Sequence, residues 1–174
     1  MIKRPAATSF SVANYFIKKG RRDGIPIMKL QRLVYYAHGW FLALYDRPLI
    51  DECIEAWIFG PVVPSLYENL NQRGFERVAK LLCYFDKNGF PDDPPQIFDQ
   101  DLQEFLDSVW NAYAKFPTIQ LSNAAHAKGT PWDLVASEYN YVPPRNKEIP
   151  DEVIREYFIQ EQEEINKEEN GTVA

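Results

Sequence analysis

The sequence predicts a mainly α fold: a single compact multi-helix domain with one short extended segment near residues 54–58. Three observations lead there. Apolar residues recur at three- and four-residue steps through most of the chain. Ile54, Ala56 and Ile58 alternate with Glu55 and Trp57, the period of a strand. The chain has 174 residues, 45% of them hydrophobic, which is enough for one core without disulfides or metal.

The elements follow in order. Phe10, Ala13, Phe16 and Ile17 share one face of a first helix over about Ser11 to Lys19, with Ser9 or Ser11 as its cap and Gly20 at its end. Lys18, Lys19, Arg21 and Arg22 follow at the negative end of the helix dipole. A second helix is expected from Ile27 to Tyr45, with Pro26 before it and Arg47-Pro48 after it. Leu30, Leu33, Val34, Ala37, Phe41 and Leu44 form its stripe, and Tyr35, Tyr36, Trp40 and Tyr45 widen it, which places this helix at the centre of the fold. Gly60, held extended by the proline after it, leads into a helix from Pro64 to Arg73, with Gly74 beyond its end. Val78, Leu81, Leu82 and Phe85 suggest a further helix, followed by a turn at 86–89 and a proline loop at 91–95. Asp99 caps a helix carrying Leu102, Phe105, Leu106, Val109, Trp110 and Tyr113, which Pro117 ends. Shorter helices are expected from Ile119 to Ala127 and from Thr130-Pro131-Trp132 onward. The last helix starts near Pro150 and buries Val153, Ile154, Tyr157 and Phe158; the acidic tail over 161–174 is expected to fray beyond Ile165.

Composition excludes several function classes. No run of about 18 apolar residues exists to span a membrane. The N-terminus lacks the apolar core of a secretory signal, and Cys53 and Cys83 form no CxxC, so reduced thiols in a cytoplasmic protein are expected. The net charge of −6 is unevenly spread: residues 1–32 hold eight Lys or Arg against Asp23 alone, and residues 151–174 hold eight acids against two bases. A net acidic chain is poorly suited to gripping nucleic-acid phosphates, although the basic head with Tyr15 and Phe16 offers a stacking surface. Acidic stretches at 92–107 and 151–169 would instead steer a basic protein partner.

The chain shows no phosphate-binding glycine loop and no HExxH, and no cofactor or metal is expected. A metal site would need His38 and His126 to meet beside a carboxylate such as Glu55 or Asp133, and nothing in the spacing brings them together. Cys53 or Cys83 with either histidine, or Ser122 with His126 one turn away, would be the remaining nucleophile pairs. Aromatic residues in irregular Pro/Gly segments are the stronger lead. Trp57, Phe59, Tyr67 and Trp132 sit there, and such residues serve either as interface anchors or as core packing.

The run Lys29 to Trp40 (KLQRLVYYAHGW), then Arg47-Pro48-Leu49, then Ile54 to Tyr67 (IEAWIFGPVVPSLY), and later Leu121-Ser122, His126 and Pro131-Trp132, resembles the Panacea-domain, or SocA-like antitoxin, family, which includes phage-associated GepA-like proteins. The resemblance spans about Ser11 to Phe158, so residues 1–160 are assigned to that domain. Phe59 departs mildly from the tyrosine common in relatives. The resemblance implies a cytoplasmic, mainly helical, non-enzymatic antitoxin that binds a toxin encoded beside it. In one branch it also implies an adaptor that delivers the toxin to a ClpXP-type protease. Partner-binding residues are expected among His38, Trp40, Trp57, Phe59, Gly60, Pro61, Val62, Tyr67, His126 and Trp132. Two other classes stay open: a DNA-binding regulator of its own operon, and a small hydrolase-like enzyme using His38 and His126.

Overall fold

The computed structural model describes residues 3–72 and 77–171. Its elements in order are α1 (Ser9–Lys19), β1 (Ile25–Pro26), α2 (Ile27–Tyr45), β2 (Ile54–Trp57), β3 (Gly60–Val62), α3 (Pro64–Gln72), β4 (Arg77–Val78), β5 (Tyr84–Phe85), β6 (Pro91–Asp92), α4 (Gln100–Tyr113), α5 (Thr118–His126), α6 (Pro131–Ala136), β7 (Glu148–Ile149) and α7 (Asp151–Gly171). The mainly α expectation agrees with this order. None of the described helices is long and apolar enough to cross a membrane.

α2 is the axis. Residues 30–39 are all buried, because α1, α3, α4, α5 and α7 pack around it. Its aromatic side chains interlock with the outer helices: Tyr36 stacks on Tyr113 at 4.4 Å, and Phe158 of α7 meets Tyr35, Tyr36 and Trp40 edge-on. Such ring pairs add to the burial of their area. Gly39 lets α7 approach, since a Cβ there would stand 2.1 Å from Phe158 Cε2. Asp46, in the left-handed conformation at φ 51°, ends the helix.

The expected extended segment is present and is larger than the alternation suggests. β2 pairs antiparallel with β3 (Glu55↔Val62, Ala56↔Pro61, Trp57↔Gly60) and with β7 on its other side (Ile54↔Ile149). The turn residues are Ile58 and Phe59. Neither has positive φ; that falls on Gly60, at +108°, a conformation that suits glycine and closes the hairpin.

Three expectations are corrected. The cap of α1 is Thr8, whose Oγ1 accepts from Ser11 N at 3.1 Å, rather than Ser9 or Ser11. The stretch around Val78, Leu82 and Phe85 is not helical. Asn14 of α1 grips Leu82 on both sides, Nδ2 donating to its carbonyl at 3.0 Å and Oδ1 accepting its N–H at 2.7 Å, which consumes the groups a helix would use. β5 and β6 then form a hairpin across Asp86–Gly89, where Asp86 Oδ1 accepts from the N–H groups of Asn88 and Phe90. Finally, α7 stays helical to Gly171 instead of fraying beyond Ile165. A helix already nucleated by packing propagates through Glu, Gln and Lys at little cost, and Gln162 Nε2 donates to Asn166 Oδ1 one turn on. Gly74, read as the stop of α3, and the small-residue ending at 172–174 lie outside the described residues.

Candidate functional site

The site is built from two polar residues inside the most apolar helix. Gln31 and Arg32 of α2 are buried, Arg32 fully so. Gln31 holds Val63 by both backbone groups: Oε1 accepts its N–H at 2.9 Å and Nε2 donates to its carbonyl at 3.1 Å. Arg32 Nη1 donates to Pro61 O at 2.6 Å, and Nη2 donates to Phe59 O. The β2–β3 hairpin is thus fastened to the core by side chains that replace missing backbone partners.

Among the described residues, Arg32 is hydrogen-bonded to the carbonyl oxygens of Pro61 and Phe59 and not to a carboxylate. Burial pushes its guanidinium down to about 10, opposed by the nearby Tyr36 and Tyr35, and it remains charged at neutral pH. Its Nε has no hydrogen-bond partner among the described residues. A buried charge held only by carbonyls is costly for stability, so its role is to hold the turn in one shape. An Arg32→Leu variant should therefore lose little global stability, about 1 kcal/mol, because removing the buried charge offsets the two lost hydrogen bonds. Amide hydrogen exchange over residues 57–62 should rise at least tenfold, the equivalent of about 1.4 kcal/mol of local opening. Unchanged exchange there would show that the clamp is not what fixes the hairpin.

α5 and α6 close over the same hairpin. Trp132, 5% exposed, donates Nε1–H to Trp57 O at 2.6 Å. His126 lies edge-on to Trp132 at 4.4 Å between centroids, with Nδ1 2.6 Å from Ser122 O and Nε2 3.4 Å from Ile58 O. Thr130 caps α6 and Gly129 N–H reaches Asp133, which fixes the orientation of Trp132. On the outer side, Trp57 packs against Tyr67 of α3 at 4.9 Å and lies under Arg145.

The outcome is an exposed apolar tip on a rigid base. Ile58 and Phe59 are 54% and 64% exposed. Beside them a cleft of about 130 Å³ is lined by Trp57, Ile58, Phe59, Pro143, Pro144 and Arg145. Of the residues expected to bind a partner, Trp57, Phe59, Gly60, Pro61, Val62, Tyr67, His126 and Trp132 come together in this region. Trp132, Gly60, Pro61 and Val62 are buried supports; Phe59 is the presented side chain.

His38 and Trp40 belong elsewhere. His38 is fully buried, with Nε2 2.9 Å from Asp151 Oδ1 on α7. Trp40 donates to Tyr113 Oη at 2.7 Å. The two histidines therefore have separate partners, and among the described residues no cluster of three or more His, Cys, Asp or Glu could hold a metal. His126 meets the backbone carbonyl of Ser122, while the buried Ser122 hydroxyl has no partner among the described residues, so the pair lacks the geometry of a base and its nucleophile. Partial burial and the Glu148 carboxylate push the Cys53 thiol up to about 11, which keeps it protonated at neutral pH. The stacking surface suggested for the basic head is not available: Phe16 is in the core, and Tyr15 is tied to Asp107 Oδ1 at 2.6 Å.

Gln31 and Arg32 were not singled out as site residues from the sequence. Their signal was present: two strongly polar side chains flanked by Leu30 and Leu33 in an apolar helix.

Comparison with known proteins adds the identity of the scaffold. The family model described as "Antitoxin SocA-like, Panacea domain" matches residues 30–133, from Leu30, just before the polar clamp, to Asp133. The protein named "Antitoxin SocA" from Caulobacter vibrioides (strain NA1000 / CB15N) is 34% identical over 153 residues, 85% of this chain and 80% of its own length. No solved structure matches. The chain belongs to the family of SocA-like antitoxins built on the Panacea domain.

Proposed function

We propose that this protein neutralises a cognate toxin by binding it directly through the hairpin face around Phe59. Membership of an antitoxin family supports the role. The observation that supports the surface is Phe59, which projects 64% exposed from a turn that Gln31, Arg32, His126 and Trp132 hold from beneath. A large apolar side chain on a preorganised base loses little entropy on binding, the property of an interface anchor. The adjoining Trp57–Pro143–Pro144–Arg145 cleft gives a partner side chain a place to enter.

The test begins with the neighbouring reading frame, expressed with and without this protein. Growth arrest relieved by co-expression establishes the pair. Phe59→Asp should then weaken the complex on the order of 30-fold, about 2 kcal/mol, and abolish rescue, while leaving the melting temperature unchanged because the side chain is mostly in water. A Phe59→Asp protein that still rescues growth and binds as wild type would remove this face from the account. Repeating the assay in cells lacking ClpP separates simple occlusion from delivery to a ClpXP-type protease: delivery predicts that rescue fails there although the complex forms.

A further inference from the structure

We propose that a groove between α2, α4 and α7 is a second docking surface, which takes a basic amphipathic helix of another protein. The groove is open, with a volume of about 660 Å³. Trp40, Phe105, Val109 and Tyr113 give it an apolar floor. Leu44, Tyr45 and Ile165 stand at its edges, 53%, 49% and 41% exposed. Isolated exposed apolar residues are ordinary on a protein surface, but here they adjoin one concave strip.

Charge selects the occupant. Asp101 and Glu104 of α4 are among the lining residues, and no basic residue is. Burial raises the Tyr113 pKa, the hydrogen bond from Trp40 opposes this, and the charge of Glu161 on α7 adds to the rise, so a third carboxylate stands near the floor without lining it. The carboxylates of α4 thus line one side of the apolar strip, and Glu161, some sixty residues on in sequence, adds its charge from α7. That arrangement repels a second copy presenting the same groove, and it repels an anionic lipid surface. It attracts a helix with leucine-like residues on one face and Lys or Arg on its flanks. The last turns of α7 fit the same occupant. Residues 163–171 are exposed, and Ile165, the one apolar side chain among them, lines the groove. A partner helix would supply the packing that this part of α7 lacks within its own chain.

The inference is independent of the antitoxin reading, because its test uses no toxin. The probe is a fluorescein-labelled helical peptide of leucine and lysine, with all leucines on one face, titrated with the full chain in fluorescence anisotropy. Saturable binding is expected, weakening with salt and absent for the same peptide with glutamate in place of lysine. Leu44→Asn with Ile165→Asn, and separately Glu104→Lys, should each weaken binding at least tenfold without changing the thermal melt, since all three positions are exposed. Asp92→Lys with Asp93→Lys, outside the groove, should bind as wild type. Binding that survives the groove variants, or falls equally with the Asp92 and Asp93 changes, would show only nonspecific attraction of a cation to an acidic protein and overturn the proposal. A concentration-dependent dimer abolished by Leu44→Asn would overturn it too, by giving the groove to a second copy.

Discussion

Gly60→Val should lower the melting temperature by roughly 6–12 °C, the equivalent of about 3 kcal/mol for a chain of this size. Two effects add. Valine at φ +108° is strained by about 1–3 kcal/mol whatever the space around it. Its Cβ would also stand 2.3 Å from Arg32 Nη2 and 2.8 Å from His126 Cε1. Arg32 is fully buried and bonded to the carbonyls on either side of Gly60, so it cannot swing away cheaply. Overpacking of this kind adds about 1–3 kcal/mol. The hairpin should lift from α2 and α5, and the toxin binding proposed for it should fail as well. Gly60→Ala separates the terms: it keeps most of the close contact but less bulk, and should lie between wild type and valine. A valine variant that melts like wild type in a calorimeter would show this turn to be misjudged.

Gly39→Ala should lower stability by about 2 kcal/mol, although alanine is the better helix former by about 1 kcal/mol. The two effects have opposite sign, and the structure decides between them. The new methyl would lie 2.1–2.6 Å from three carbon atoms of the Phe158 ring. That ring is 1% exposed and boxed in by Tyr35, Tyr36, Trp40 and Tyr157, so it has nowhere to go. The melting temperature should fall by roughly 4–8 °C. Phe158→Ala alone should cost about 3–5 kcal/mol by leaving a cavity. The double variant should be more stable than the sum of the two losses, because the methyl then fills part of that space. Additive losses, or a Gly39→Ala protein more stable than wild type, would mean that α2 and α7 are not in such close contact.

Both predictions rest on glycines whose roles are unequally visible in the sequence. Gly60 sits in a Gly-Pro pair between an alternating segment and a helix start, so a turn could be read there, though not its positive φ. Gly39 lies within a helix stripe, and nothing in that stripe shows that an aromatic ring from residue 158 would press on it. The same division runs through the rest of the molecule. The centrality of α2 was legible because its apolar residues cover most of its circumference. The extended lie of 77–85 was not, because Val78, Leu82 and Phe85 carry a helical spacing that Asn14 overrides from 68 residues away. Eight of the ten candidate binding residues fall in one region, whereas His38 and Trp40, at the end of the KLQRLVYYAHGW run of the motif, turn toward α7 and α4.

The sequence by itself determined the helical class, the order of most elements, the short strand at 54–57 and, through a long motif, the family. These follow from periodicity, capping and punctuation, which act over a few residues and are written locally. Only the tertiary structure decided which polar side chains clamp the hairpin, which aromatic residue is offered to solvent and which are buried beneath it, and that α4 and α7, remote in sequence, line one groove. Those outcomes depend on which groups meet across long loops, and burial energy and hydrogen-bond satisfaction settle that only when the whole chain is folded.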